Sequence, residues 1–228
     1  MRSLLSRLLL AAVFLSPAAS QAVTILGDPI ALSALLEDPE ASIVAGDKRF
    51  SDFSYAFTGD MPEAAGVNVI PIQDDDGNFG IRFQGAFADL VSTVGGSDAL
   101  IGYSVSVTDD LMSIVDAHLA GNPTLLGDFG SISVVETFDV DPELRLVIFA
   151  DETSGTDSAD SVEFEAVPSL RVTKDILAFA ATGEGEGTVT LSFVDQTFSQ
   201  RPNEIPEPVS LLLLGGGLAG LAVAGRRR

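Results

Sequence analysis

The reactive side chains of this sequence are almost all carboxylates. His118 is the only histidine, there is no cysteine, and no serine lies in a Gly-x-Ser-x-Gly turn. Nucleophilic catalysis needs a base beside a nucleophile, and a zinc site needs several nitrogen or sulfur ligands. We therefore expect neither kind of site, and we interpret His118 as a surface or hydrogen-bonded histidine.

Alternating acidic residues point instead to calcium, which prefers hard oxygen ligands. Asp74, Asp76 and Asn78 alternate as they do at the opening of a calcium loop. An EF-hand would then need Gly where Phe79 stands and Glu where Gly85 stands. We favour a hairpin turn with solvated carboxylates, and we keep a low-affinity calcium site at Asp74, Asp76 and Asn78 as a hypothesis. The acidic stretches 139–143 and 151–160 are similar candidates.

Paired carboxylates can also hydrolyse glycosidic bonds. The chain has no Trp and only two tyrosines, Tyr55 and Tyr103, so aromatic platforms for sugars are scarce. The Gly-rich stretch 183–187, GEGEG, places glutamates where a phosphate would be repelled. We expect no enzymatic activity and no resident cofactor, and a carboxylate glycosidase is the remote alternative.

The sequence pattern predicts that the segments carrying these residues are mainly strands. SIVAGDKRFSDFSYAFTG predicts a short strand, a Gly46-Asp47 turn and a second strand with Phe53, Tyr55 and Phe57 on one face. VNVIPIQDDDGNFGIRF predicts two strands around an Asp-Gly turn. Similar alternation or β-branched enrichment occurs in ALIGYSVSV, SISVVETF, LRLVIFA, SLRVTKDILAFA and GTVTLSFVDQTF. The pattern predicts an all-β fold, an antiparallel β-sandwich of the jelly-roll or Ig-like kind.

Two stretches are exceptions to the strand pattern. DPIALSALLEDPEA predicts a helix, with Asp28-Pro29 as its cap and first turn. LMSIVDAHLAG fits a strand or a helix equally well. No internal repeat or linker divides the body, so we expect one domain over residues 23–204.

Both ends of the chain carry the features of targeting segments. Residues 1–22 have an Arg-containing start, an apolar run and then small residues, which predicts a signal peptide cleaved after Ala22. Residues 209–225 form an apolar stretch just long enough for a transmembrane helix. Arg226, Arg227 and Arg228 follow it as a stop-transfer cluster that places the C-terminus in the cytoplasm.

The body between these ends is strongly acidic. All 33 acidic residues lie between residue 22 and residue 209, together with seven of the 12 basic residues. This charge excludes nucleic acid as a partner and leaves the tail as the only contact with a membrane. Without cysteine, an exported body must be held together by its hydrophobic core rather than by disulfides.

The tail resembles the PEP-CTERM sorting signal. The likeness rests on Pro206, Glu207 and Pro208, the Leu- and Gly-rich span behind them and the terminal arginines. It implies processing near Pro-Glu-Pro by the membrane transpeptidase exosortase, in bacteria that make exopolysaccharide. Expected partners are therefore exosortase and extracellular polysaccharide, and the expected location is the cell surface or the medium after transient membrane anchoring.

The body also resembles other proteins with such tails. GDKRFSDFSYAF, VTKDI and TFSQ are similar to a recurring, functionally uncharacterised group of PEP-CTERM bodies. This implies kinship without an activity. Our leading hypothesis is a non-catalytic protein of the cell surface, extracellular matrix or biofilm. The first alternative is a calcium-assisted module that binds carbohydrate or protein.

Overall fold

The structure, a computed structural model, describes residues 22–90, 95–127, 130–180 and 188–203. The signal peptide up to residue 21 and the sorting tail from residue 204 lie outside the described residues. Almost every described segment is a strand, as the alternating pattern predicts. In chain order the strands are β1 (Val23–Ile25), β2 (Ile30–Ala31), β3 (Ile43–Ala45), β4 (Lys48–Thr58), β5 (Asn68–Asp74), β6 (Phe79–Asp89), β7 (Ser97–Val107), β8 (Met112–Gly121), β9 (Thr124–Leu126), β10 (Gly130–Phe138), β11 (Asp141–Asp151), β12 (Gly155–Asp157), β13 (Ala159–Val167), β14 (Ser169–Ala180), β15 (Thr188–Phe198) and β16 (Gln200–Pro202).

The strands form two sheets. One runs β1-β5-β6-β15-β8-β13, with β2, β9 and β16 paired to β5, β15 and β8; the other runs β12-β11-β10-β14-β7-β4-β3. All of these pairings are antiparallel. Both sheets contribute to one hydrophobic core, for example Ile81 and Phe83 from the first and Val172 and Ile176 from the second. The all-β, antiparallel prediction is confirmed and the arrangement is consistent with a β-sandwich, whereas its jelly-roll or Ig-like refinement stays a prediction.

Burial along β14 shows why these residues form strands. Exposed or half-buried positions alternate with buried ones from Ser169 to Ala180. Leu170, Val172 and Ile176 are buried on the inner face, where removing apolar surface from water contributes about 25 cal/mol per Å². Lys174 occupies one of these inner positions and is also fully buried.

A β-bulge in β4 changes which side chains face the core. Asp52 has a positive φ of 53°, and the pairing of β4 with β7 shifts between Ser51 and Ser54. Before the bulge, Phe50 is buried; after it, Phe53 and Tyr55 pack against the core. The predicted Phe53–Tyr55–Phe57 face is therefore present, but it begins at the bulge and its last member is 42% exposed.

The predicted helix is present but starts later than the sequence suggests. Helix α1 spans Leu32–Glu37 and buries Leu32 and Leu35. The prediction that Asp28-Pro29 begins it was wrong, because Ile30–Ala31 pairs with β5 instead. A short 3₁₀ helix covers Ala64–Gly66.

The ambiguous stretch around His118 is a strand. β8 pairs with β13, β15 and β16, so its hydrogen bonds come from three segments that are distant in sequence. Local periodicity could not have decided this. The position in the sheet places His118 opposite Thr197 of β15.

The last described residues are fastened to the body. β16 pairs with β8, and the Asn203 N–H donates to the Leu111 carbonyl oxygen at 2.7 Å. The Asn203 side chain donates from Nδ2 to the Asp110 carbonyl oxygen at 2.8 Å and accepts from the Ser113 hydroxyl. The folded domain therefore extends through Asn203, the residue directly before Glu204.

A close approach between β6 and β15 generates a test of this fold. A Cβ added at Gly80 would lie 1.8 Å from the Gln196 carbonyl oxygen, so we expect Gly80→Ala to lower the free energy of unfolding by roughly 3 kcal/mol. Urea denaturation of purified variants measures this change. Gly66→Ala is the control, because its Cβ would meet Pro62 at an ordinary 3.5 Å. Equal stabilities of the two variants would contradict the pairing.

Candidate functional site

Of the predicted processing residues, only Ala22 belongs to the described part of the chain. Ala22 is the first described residue, is exposed, and directly precedes β1. Pro206, Glu207, Pro208 and Arg226–Arg228 lie outside the described residues. The body between them holds every other candidate site whose geometry can be described.

The Asp74 hairpin has a complete set of internal hydrogen bonds. Asp74 is 7% exposed, and its Oδ1 accepts from the backbone N–H groups of Asp76 at 3.1 Å and Asn78 at 2.8 Å. Its Oδ2 accepts from Asn78 Nδ2 at 3.1 Å and from the Thr197 hydroxyl at 2.6 Å. These four bonds occupy the four lone-pair sites of a carboxylate, which are the sites that a calcium ion would use.

The hydrogen bonds of Asp74 hold the β5–β6 turn in place. Gly77 takes a φ of 89° in that turn, and its N–H donates to the Asp74 carbonyl oxygen. Within the described residues, no group of three or more His, Asp or Glu side chains converges as metal ligands do. A calcium site here stays a prediction. The hydrogen bonds of Asp74 support the alternative, in which this segment is a hairpin turn.

The other acidic loops use their carboxylates in a similar way. Asp151 Oδ1 accepts from the N–H groups of Thr153 at 2.7 Å and Ser154 at 2.6 Å, and these hydrogen bonds lower the pKa of Asp151. Asp139 Oδ1 accepts from the Arg171 N–H at 2.7 Å. These acids therefore hold loops in place.

His118 belongs to a polar cluster on the outer face of the larger sheet. Its Nε2 lies 3.1 Å from Asp116 Oδ1, which also accepts the Ser199 N–H at 2.8 Å. The Ser199 hydroxyl donates to Asp116 Oδ2. The aspartate thus stands between serine and histidine, whereas a nucleophilic triad requires the serine to contact the histidine.

Two residues of the calcium hypothesis, Asp74 and Asp76, act electrostatically on His118. The hydrogen bond to Asp116 raises the pKa of His118; burial opposes this, and the charges of Asp116, Asp74 and Asp76 reinforce it. Burial alone would raise the pKa of Asp116, but hydrogen bonds from His118 and Ser199 bring it below its ordinary value. The arrangement favours an imidazolium–carboxylate pair.

Sequence reasoning missed a buried cluster between the sheets. Lys174 of β14, Glu136 of β10 and Gln196 of β15 are all fully buried. Lys174 Nζ donates to Glu136 Oε2 and to Gln196 Oε1. The signal was present: each residue occupies a buried position in an alternating apolar series, where a charged or amide side chain needs an internal partner.

Burial shifts both ionisable groups of this cluster towards neutrality. Desolvation lowers the pKa of Lys174, although the charge and hydrogen bond of Glu136 oppose the shift. Desolvation also raises the pKa of Glu136, against the opposing effect of Lys174. Among the described residues, Glu136 Oε1, Gln196 Nε2 and Tyr103 Oη have no hydrogen-bond partner.

A second lysine–glutamine pair lies at the β3–β4 turn. Lys48 Nζ donates to Asp47 Oδ1 at 2.6 Å and to Gln200 Oε1 at 2.9 Å. Gln200 Nε2 donates in turn to Asp47 Oδ2, so both ends of this amide are paired. Burial lowers the pKa of Lys48, while Asp47 opposes the shift.

A surface pocket of about 300 Å³ opens where β13 loses its register with β8. Phe164 lies in its wall and packs against Phe138 at 5.8 Å between ring centroids. Apolar and acidic side chains line the pocket together: Val140, Asp141, Leu144, Glu163, Phe164, Glu165 and Val167. An apolar wall with carboxylates suits a ligand that has both apolar faces and hydroxyl or cationic groups.

The tail behind this body matches a known sorting element. Residues 204–228 match the family model of the PEP-CTERM protein-sorting motif. The chain carries a PEP-CTERM sorting motif. The predicted resemblance is confirmed and is consistent with an exosortase substrate. Because the PEP-CTERM match covers the tail alone, it concerns sorting and not the chemistry of residues 22–203.

The comparison with solved structures gives a distant likeness. No curated protein matches the sequence. Among solved structures, the chain is similar to TmCBM61 in complex with β-1,4-galactotriose, at 11% identity over 64% of this chain and 88% of that chain, with a TM-score of 0.28. A likeness this distant carries no argument about a ligand. Within the part of the chain that the structure describes, no helix is both long and apolar enough to cross a bilayer.

The His118–Asp116 pair predicts a pH-dependent contribution to stability. Because the folded protein raises the pKa of His118, the contribution is complete below the unfolded value of 6.5 and is lost as the pH rises through the folded pKa. We expect His118→Gln to cost roughly 0.5–1 kcal/mol near pH 5.5, and less near pH 9. Urea denaturation at both pH values measures this. In an Asp116→Asn background the cost of His118→Gln should depend less on pH, because only the charges of Asp74 and Asp76 still raise the pKa of His118. An equal cost of His118→Gln at both pH values in the native background would contradict the ion pair.

The filled lone pairs of Asp74 predict no specific response to calcium. We expect calcium and magnesium, each at about 5 mM, to raise the melting temperature equally, through screening of the acidic body. Differential scanning calorimetry with Asp76→Asn and the matched Asp75→Asn checks this. A calcium-specific rise that Asp76→Asn removes and Asp75→Asn retains would instead establish the site at Asp74, Asp76 and Asn78.

Proposed function

We propose that this chain is an exported, non-catalytic protein of the cell surface or extracellular matrix, delivered by exosortase processing of its tail. The observation that carries the proposal is the PEP-CTERM motif at residues 204–228. That motif implies export and membrane anchoring through the C-terminus before cleavage. Its usual setting in exopolysaccharide-producing bacteria makes extracellular polysaccharide or biofilm the expected surroundings.

The position of the motif on the folded body supports this proposal. Strand β16 ends at Pro202, and Asn203 is fastened to β8. The folded domain therefore ends at Asn203, directly before the motif, which begins at residue 204. In the proposed precursor, a signal peptide cleaved after Ala22 exports the body, and residues 209–225 hold it in the membrane with Arg226–Arg228 in the cytoplasm.

The chemistry of the described body supports a non-catalytic role. The single histidine contacts an aspartate that already binds Ser199. The carboxylates of Asp74 and Asp151 accept backbone N–H groups in turns. Side chains that hold loops in place are poor candidates for proton transfer to a substrate, so a carboxylate glycosidase stays the remote alternative.

A binding module for extracellular carbohydrate or protein is the second candidate. The pocket beside Phe164 favours it, because an aromatic ring with neighbouring carboxylates can pack against a sugar and accept its hydroxyl hydrogens. Calcium assistance would come from the Asp74 hairpin. The calcium titration with Asp76→Asn and Asp75→Asn described above decides whether that part of the candidate survives.

The sorting proposal predicts a defined product of the native chain. We expect the protein recovered from the host's medium and outer surface to lack residues beyond the Pro206–Pro208 motif, or to carry an added mass at the cut end. Intact mass and the C-terminal peptide measure this. Replacing Pro206, Glu207 and Pro208 together by Ala should leave Arg226–Arg228 in a membrane-bound form.

Glu204→Ala is the matched control, because it removes a nearby charge and leaves Pro-Glu-Pro intact. It should be processed as the native chain is. Recovery of the native chain with Arg226–Arg228 still attached, in membranes only, would show an ordinary anchor and contradict the proposal.

A further inference from the structure

The buried cluster between the sheets brings together an amine, a carboxyl group and a carboxamide. Lys174, Glu136 and Gln196 have no exposed surface. Lys174 and Glu136 are cross-strand neighbours in one sheet, whereas Gln196 comes from the other sheet. The three groups therefore meet only when the two sheets pack.

The contacts place the amine beside the amide carbonyl. Lys174 Nζ is hydrogen-bonded to Gln196 Oε1, the oxygen bonded directly to the Cδ carbon. The same Nζ contacts Glu136 Oε2. Nucleophile, electrophile and proton carrier are thus held in contact, and such orientation is worth a large effective concentration in an intramolecular reaction.

The dry surroundings favour the reactive protonation states. Burial lowers the pKa of Lys174 and raises the pKa of Glu136, so each shift moves its group towards the neutral form. A neutral amine has the lone pair that a nucleophile needs. Water, which would compete as a nucleophile, is excluded by the core.

The hydrogen bonding of the glutamine identifies a leaving group. Among the described residues, Gln196 Nε2 has no partner, and neither has Glu136 Oε1. A buried donor without an acceptor is costly. Loss of this nitrogen from the protein removes the unpaired donor.

We propose that Lys174 and Gln196 join in an intramolecular isopeptide bond between the two sheets, with Glu136 carrying the proton. The Lys174 Nζ lone pair attacks Gln196 Cδ and forms the new C–N bond. The neutral Glu136 carboxyl group gives its proton to Nε2 and takes one proton from Nζ in return, so that it ends in the form in which it began. The Cδ–Nε2 bond then breaks, and one ammonia molecule leaves. No oxidant, reductant or further reactant is needed.

The pair at the β3–β4 turn is an internal comparison. Lys48 also contacts a glutamine amide, but Gln200 Nε2 is bound to Asp47, and Asp47 is 31% exposed. Burial lowers the pKa of Lys48, and the hydrogen bond and charge of the partly exposed Asp47 oppose this shift. We therefore expect a cross-link at Lys174–Gln196 and none at Lys48–Gln200.

The bond would give this cysteine-free body a covalent connection across its core. It joins β14 to β15, and thus one sheet to the other. Like a disulfide, it would limit the unfolded chain and so stabilise the folded one. Unlike a disulfide, it would survive reducing conditions.

Mass spectrometry of the full native chain tests the proposal. We expect an intact mass below that of the processed sequence by one ammonia molecule. After unfolding and digestion by a protease that cleaves after glutamate, fragments 166–184 and 187–204 should stay joined as one branched peptide. Fragment 41–63, which contains Lys48, should be free of fragment 187–204.

Variants assign the roles of the three side chains. Lys174→Met removes the nucleophile, and Glu136→Gln removes the proton carrier at constant size; both should show the full sequence mass and separate fragments. Gln200→Ala, at the comparison pair, should keep the branched peptide. Cross-linked protein should melt on the order of 10 °C above Lys174→Met protein.

The native chain decides whether the bond exists, because its mass is read on unfolded polypeptide. Circular dichroism shows that each variant is folded, so that a missing cross-link can be assigned to the replaced side chain. Full sequence mass and separate fragments in the native chain would overturn the proposal and leave a non-covalent cluster. Cross-linking of Glu136→Gln at the native rate would overturn the role of Glu136.

Discussion

The packing of the two sheets depends on how one lysine is accommodated between them. Lys174 stands at an inner position of β14, where every neighbouring inner position is apolar. Its partners come from both sheets, Glu136 from the same one and Gln196 from the opposite one. If β15 slipped by one residue, Gln196 would turn to the outer face and leave the amine with one partner fewer. The cluster therefore links the register of β15 to that of β14, because an uncompensated polar group in the core is strongly destabilising.

Alternation in the sequence was enough to predict most strands, because one face of each strand is buried and the other is not. The turns at Gly46-Asp47 and after Asp74 followed from turn chemistry. The bulge at Asp52 escaped prediction, since one extra residue changes the inner face without disturbing the apolar pattern on either side. The strand around His118 and the late start of α1 depended on partners far along the chain.

The buried cluster of Lys174, Glu136 and Gln196 could not be predicted from the sequence, for a related reason. Lys174 is 38 residues from Glu136 and 22 residues from Gln196 in the chain. Sequence alone showed a polar residue at an inner position of each strand, but only the sheet order brings the three together. The same holds for His118, whose pKa responds to Asp74 and Asp76 although they lie on a different hairpin.

Several of the few basic side chains of this acidic body form ion pairs with neighbouring acids. Lys48 pairs with Asp47. Arg82 binds Asp195 through two nitrogens. Since these cations neutralise neighbouring acids, the remaining acids set the field around the body, and that field repels anionic polymers and membranes.

Because Asn203 is hydrogen-bonded to the body, the linker between the body and the membrane is very short in the proposed precursor. Only the five residues 204–208 separate Asn203 from the apolar stretch that starts at Val209. Fully extended, that length reaches about 20 Å, at roughly 3.5 Å per residue. The negatively charged body would then be held within a few Debye lengths of anionic headgroups, since one such length is about 8 Å at physiological salt. Cleavage near this linker would let the acidic body move away from a surface that repels it. Electrostatic repulsion therefore favours release of the body after cleavage.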